Sequence, residues 1–289
     1  MEAKELHERV LYPTVRIKTD KSGGSGVVIQ SKPDPKDTSK YLTFVLTNWH
    51  VISDAIRLAK AFDSVIKAEV KKDILSEVTV ESFLYVDDSS VVSRNAHQAE
   101  IVAYSQEHDL AVLKLLSPFV YSSTATLVAR DDIKSLRLFD ETWVCGCSLL
   151  HDPFANHGTI TGLREIIDQK EYLMTNSAGI FGNSGGALFD RSGRVLGIVS
   201  RVTSIQLGFG IDIVPWMLFA AHPLRLYKFF EEQELHFLFD PADDYHKAMK
   251  RREDKRKRAQ ARRASDSDSE SKDDGKSSYD DDSIPYGDG

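Results

Sequence analysis

Between residues 14 and 214 the chain is a succession of short apolar runs, rich in β-branched and aromatic residues and separated by polar turn signals. Such runs fall at 15–18, 27–29, 41–47, 77–86, 101–104, 110–115, 142–147, 159–163, 172–175, 187–189, 195–202 and 207–214. Evenly spaced strands of this length, bounded by Gly, Ser, Asp and Pro, fit a barrel or a sandwich. The stretches 30–40 and 87–98 read as polar surface loops, and 191–193 as a tight turn. Residues 51–62 read as one or two helical turns, and 215–238, richer in Leu, Phe and Glu, as a closing helix broken at Pro223.

At the edges of these runs sit residues able to do chemistry. Ser184 lies in Gly182-Asn183-Ser184-Gly185-Gly186, immediately before the run at 187–189. A hydroxyl that attacks a carbonyl needs a backbone free to approach the substrate, and neighbouring N–H groups turned toward the oxyanion that forms. Glycines permit both. Read alone, the stretch is equally a Gly-rich hairpin. His50 ends the run at 41–47, and Asp109 opens the run at 110–115. A lone histidine is most simply a core or surface residue, and a lone aspartate before a strand a turn former. Three such residues in the order His, Asp, Ser, each at a strand edge, match one of the known nucleophile–base–acid chain orders.

The ordered motifs resemble trypsin-fold (chymotrypsin-like) serine peptidases, and among them the HtrA-like protease domain. They are Gly24-Ser25-Gly26-Val27, Thr47-Asn48-Trp49-His50-Val51, Asp109 to Lys114 and Gly182 to Gly186, and the similarity extends over about residues 14–216. The resemblance implies an all-β fold, two six-stranded antiparallel β-barrels with a C-terminal helix and a disordered charged tail. It implies that Ser184 is the nucleophile, His50 the general base and then acid, and Asp109 the group that fixes the His50 tautomer. The oxyanion hole falls at Gly182, Asn183 and Ser184, with the N–H groups of Gly182 and Ser184 as donors. The pocket for the residue before the scissile bond falls at Ala178, Ser200, Arg201, Val202 and Phe209, which carry no acid to hold a basic side chain. A small or medium apolar residue suits it, or an acidic or polar one if Arg201 turns inward. The substrates implied are proteins or peptides. HtrA enzymes commonly carry a signal or anchor and a PDZ domain, and neither is legible here.

The expected organisation is an N-terminal helical segment at 1–13, a first barrel at 14–116 holding His50 and Asp109, a second barrel and closing helix at 117–240 holding Ser184, and a disordered basic-then-acidic tail at 241–289. The net charge of −7 conceals a division in that tail, Lys/Arg-dense at 247–263 and Ser/Asp/Gly-rich from 265. Neither block has the apolar surface to offset its ordering entropy, a frayed basic helix at its start aside. A solvated tail is the simple reading, and an anionic partner for the basic block the other. The alternating Ser265, Ser267, Ser269 and Ser271 among acids suit phosphorylation only weakly. No apolar run approaches the ~18 residues of a membrane span. The start of the chain lacks the apolar segment of a secretory signal. Cys145 and Cys147, two apart on one strand face, are expected as reduced thiols, which fits an intracellular, cytoplasmic setting. His151 and His157 lack partners at metal spacing, so neither a metal nor another cofactor is expected. The functional alternative is a catalytically silent trypsin-fold binding module recruited through its charged tail. Oligomeric state and cleavage specificity stay open.

Overall fold

The computed structural model describes residues 1–63, 68–118 and 120–273. A short helix α1 (Ala3–Leu6) and a wide turn to Leu11 carry Val10 into the interior. The first barrel closes in the order β1 (Thr14–Lys18), β2 (Gly23–Asp34), β3 (Asp37–Thr47), β8 (Leu110–Leu115), β7 (Ser90–Ser105), β6 (Val78–Val86), with β6 pairing back onto β1. Between β3 and β6 lie helix α2 (Trp49–Ile52), a 3-10 turn, and a separate hairpin of β4 (Ile56–Asp63) and β5 (Ala68–Leu75).

The crossing to the second half contains β9 (Thr126–Leu127) and helix α3 (Arg130–Ile133). The second barrel runs through β10 (Glu141–Gly146), β11 (Phe154–Ile167), β12 (Lys170–Thr175), β15 (Gly210–Ala221), β14 (Arg194–Leu207) and β13 (Ala187–Asp190), closed by the β13–β14 pairing. Two six-stranded antiparallel barrels are therefore present, as the strand pattern and the resemblance lead one to expect. The chain ends in α4 (Pro223–Glu232), a 3-10 turn at His236–Leu238, and α5 (Tyr245–Asp273). Among the described residues no helix is long and apolar enough to cross a membrane.

The strands that bear the chemistry read as unbroken apolar runs because both their faces are covered. On β3, Val45 points into the first barrel's own core with Val28 and Leu113, while Phe44 and Leu46 point outward. On β8, Ala111 and Leu113 face inward, and Leu110 and Val112 outward. The outward set meets Cys145, Ala187, Phe189 and Ile198 of the second barrel and Phe229, Phe230 and Phe237 of the C-terminal segment. Burying a side chain of the size of Phe44 contributes about 1.5–3 kcal/mol, so this shared layer is a principal bond between the halves. The second barrel keeps its own core of Val144, Ile160, Leu173, Leu188, Leu196 and Leu218.

Five expectations need correction. The stretch 51–62 is helical only as far as Ala55, and from Ile56 it is β4, paired with β5. The stretch 30–40 is mostly ladder: Gln30 pairs with Phe44 and Pro33 with Tyr41, leaving the hairpin turn at residues 35–36. The stretch 87–98 is likewise strand from Ser90 on, with Ser93 opposite Leu84 and Gln98 opposite Thr79. Both are polar because they stand away from the core, and the backbone ladder holds them without apolar alternation. Pro223 begins α4 instead of breaking a helix, since a proline at the first helical position forfeits no hydrogen bond. The segment from 241 does not stay clear of the barrels. Ala248 is fully buried, the Tyr245 ring lies 5.3 Å from Phe44, and Arg252 donates to Gln233 O at 2.7 Å and Val102 O at 3.1 Å. Tyr245, Ala248 and Met249 form one helical stripe too short to register against the surrounding charge. The acidic end of the tail, 274–289, lies outside the described residues.

Candidate functional site

His50 stands on α2, directly after β3. The neighbours Val51 and Ile52 are buried in the first barrel's core, which anchors the turn and leaves His50 at its edge with a side chain 40% exposed. Its Nδ1 lies 2.9 Å from each carboxylate oxygen of Asp109, and its backbone N–H donates to Asp109 Oδ1 at 3.1 Å.

Asp109 stands in the turn immediately before β8 with φ at +51°, a left-handed conformation that neighbours must hold. They do so from several elements. Asn48 Nδ2 donates to Asp109 O at 2.8 Å, His108 Nε2 meets Glu232 Oε2 of α4 at 2.8 Å, and Lys170 Nζ of β12 donates to Gln106 O at 3.2 Å. Ser200 Oγ of β14 donates to Asp109 Oδ2. Burial by itself would push the Asp109 carboxyl up; the hydrogen bonds and charge of His50 and the Ser200 hydroxyl outweigh it and hold the carboxyl below its ordinary range.

Ser184 lies in the loop between β12 and β13. Gly182 has φ at +94°, and a Cβ there would stand 2.5 Å from Leu149 N; Gly185 has φ at +87°, and a Cβ would stand 2.0 Å from Ser25 O. Only glycine serves at either place. The loop is pinned peptide by peptide: Leu149 N donates to Phe181 O, Ser25 Oγ to Gly182 O, Gly186 N to Asn183 O, and Ser25 N to Ser184 O, all within 2.7–2.9 Å. The Asn183 N–H is spent on Ile180 O at 3.2 Å, and its side chain accepts from Ser148 Oγ. Asn183 thus shapes the loop from inside. Among the described residues the N–H groups of Gly182 and Ser184 have no partner, and no hydrogen bond joins Ser184 Oγ to His50.

Two unspent N–H donors beside a serine on a pinned loop, and a carboxylate-held imidazole on the other barrel, are the kinds of group that acyl transfer uses. The trypsin-like peptidase domain family matches over residues 24–198, more than half of the chain. The chain belongs to that family. This trypsin-like peptidase domain also shares its fold with an HtrA-type protease, AlgW with tripeptide, at 21% identity and a TM-score of 0.54, covering 83% of this chain and 64% of that one. A serine endoprotease from Yersinia pestis matches at 18% identity and a TM-score of 0.51, covering 79% of this chain and 65% of that one. The chain therefore spans just under two thirds of each of these structures. No curated protein matches the sequence.

The other residues expected at the site distribute unevenly. Ala178 is half-buried before the serine loop, its carbonyl accepting from Asn156 Nδ2 at 2.9 Å. Ser200 turns its hydroxyl to Asp109. Arg201 is paired with Asp168 of the β11–β12 hairpin at 2.7 Å, so its charge is already met. Val202 is half-buried on β14. Phe209 sits fully exposed at the tip of the β14–β15 hairpin, roughly 20 Å along the strand from Ser200 at ~3.3 Å per residue. It is not brought to the others. Cys145 and Cys147 are buried and unbridged, and burial pushes the Cys145 thiol up to about 12. Sequence reasoning gave no role to Ser25, Asn48 or Ser148. Ser25 and Asn48 stood inside quoted motifs, but nothing local marks the partners that the barrels bring to them.

Proposed function

We propose that the chain is a serine endopeptidase that hydrolyses peptide bonds in protein or peptide substrates through an acyl-enzyme. Ser184 Oγ attacks the scissile carbonyl, and His50 Nε2 takes the proton and returns it to the leaving amine. Asp109 holds Nδ1–H, fixing the tautomer and stabilising the imidazolium. The N–H groups of Gly182 and Ser184 receive the oxyanion. The observation that carries this reading is the His50–Asp109 contact at 2.9 Å to both oxygens, with His50 and then Ser200 holding the carboxyl below its ordinary range against its burial.

The unmade Ser184–His50 hydrogen bond favours the second reading, a silent trypsin-fold module whose basic C-terminal helix recruits an anionic partner. Without substrate, such bonds are commonly long and tighten only in the reactive complex, so the peptidase reading stands ahead. Fluorophosphonate labelling decides between them. Covalent modification at Ser184, abolished in Ser184→Ala, is expected; an unlabelled parent protein with no peptide hydrolysis would leave the binding module.

A further inference from the structure

We infer that Ser25 of the first barrel is a positioning residue for the oxyanion-binding backbone of the second. The inference rests on the peptidase reading above and deepens it. Ser25 is wholly buried on β2, and its hydroxyl is used in both directions. It accepts from Cys147 N at 2.7 Å and donates to Gly182 O at 2.7 Å. A carbonyl has no hydrogen to give and an amide nitrogen no lone pair, so the hydroxyl orientation has one solution. The backbone of the same residue donates to Ser184 O at 2.8 Å.

The two ends of a planar trans peptide point in opposite directions. Fixing Gly182 O on Ser25 sends the Asn183 N–H away, where Ile180 O receives it at 3.2 Å. Fixing Ser184 O on Ser25 N sends the Gly185 N–H to Val199 O at 2.9 Å. The peptides on both sides of the Asn183–Ser184 unit are therefore set by one residue. The peptide bearing the Gly182 N–H is reached through Cys147. Ser25 holds the start of the 147–150 turn, Arg16 Nη1 of β1 holds its end at Leu150 O with 2.6 Å, and Leu149 N in its middle takes Phe181 O at 2.8 Å. Without the Ser25 hydroxyl, the buried Cys147 N and the half-buried Gly182 O would lose their partner, and a rotation of the 182–183 peptide would let Gly182 O find another. Glycine at 182 puts little barrier in the way. That rotation would disorder the donors that meet charge in the transition state while leaving the substrate's other contacts alone, so it belongs in kcat and not in KM.

The test compares the parent, Ser25→Ala and Ser25→Thr for peptide hydrolysis, fluorophosphonate labelling rate, pH profile and thermal midpoint. Ser25→Ala should lose about 30- to 300-fold in kcat and labelling rate, up to the range of removing a hole donor outright, with KM within about twofold. Ser25→Thr, which keeps the hydroxyl, should recover most of the rate. The acid limb of the pH profile should not move, because His50 and Asp109 are untouched. Should Ser25→Ala not fold, Ser25→Cys, similar in shape with a weaker donor, is read by the same criteria. A labelled parent with Ser25→Ala labelled at the same rate overturns the inference alone. So does a loss carried by KM, or one equal in the Ala and Thr variants and parallel to the thermal midpoint. A parent that takes no label overturns the peptidase reading and this inference with it.

Discussion

His50 and Asp109 leave the first barrel already joined, the carboxylate held by the imidazole and Ser200 and the backbone carbonyl of Asp109 by Asn48; Ser184 leaves the second barrel with a hydroxyl that has no partner among the described residues. The contrast follows from how each half is built. His50 and Asp109 sit at the ends of adjacent strands, β3 and β8, whose ladder pairs Thr47 with Ala111 and fixes their separation. Ser184 sits on a loop whose shape depends on the other barrel, through Ser25 and Arg16. The His50–Asp109 pair is thus joined within one sheet, and the second barrel adds the Ser200 hydroxyl to its carboxylate. The setting of Ser184, the proposed nucleophile, is a product of the interface between the barrels.

Removing either half shows how far the comparison reaches. Ser184→Ala should lower kcat by about a million-fold with stability nearly unchanged, read by peptide hydrolysis. Parent-like hydrolysis would end the assignment. Asp109→Asn should lower kcat by about ten-thousand-fold, since the wrong tautomer of His50 is then favoured. A loss under tenfold would mean that the joined pair is only structural. Gly185→Ala drives a Cβ into Ser25 O at positive φ and should cost about 3 kcal/mol by denaturant unfolding. Little change there would show that the nucleophile loop is looser against the first barrel than its packing implies.

Two chain ends sharpen the contrast further, because α5 packs on β3 and β7, behind the acid–base half. Ending the chain at residue 244 removes the Tyr245 and Ala248 contacts and should lower the thermal midpoint by about 5–10 °C, as burial worth ~2–3 kcal/mol is lost. Ending it at residue 258 should leave the midpoint within about 2 °C and peptide turnover intact, because the residues removed lack apolar anchors. Equal midpoints for both would show that the packed turns add nothing. The smallest effect is in acid. The Asp109 carboxyl titrates below its unfolded value of about 3.9, so its ionised form stabilises the fold fully above that pH. The contribution disappears as pH falls through the lower folded value. The stability gap between the parent and Asp109→Asn should therefore narrow below about pH 4 in denaturant titrations at pH 3–7, and a constant gap would contradict it.

Much of this was legible beforehand. The apolar runs located nearly every barrel strand, and the glycines around Ser184 marked a loop needing positive φ, as Gly182 and Gly185 have. The polar strand from Ser90 was not legible, because its order comes from ladder hydrogen bonds to β6, which side-chain pattern does not encode. Nor was the first part of α5, where one stripe of Tyr245, Ala248 and Met249 is outnumbered by charge yet finds Phe44 and Phe237 to cover it. Nor is the Ser200–Asp109 bond legible, since a strand position does not say which neighbour its hydroxyl will meet.

From the sequence by itself came the strand-and-turn rhythm, the order His50, Asp109, Ser184, and the glycines without which the loop cannot turn. These are local properties, written in period, steric permission and chain order. Only the tertiary structure decided that Ser25 would hold Gly182, that Ser200 would hold Asp109, that Arg201 would be claimed by Asp168 and that Phe209 would stand apart. Those contacts join residues distant along the chain, 157 positions apart for Ser25 and Gly182. A hydroxyl or a guanidinium carries no mark of its partner until two closed sheets, packed on a shared apolar layer, bring one within hydrogen-bond reach.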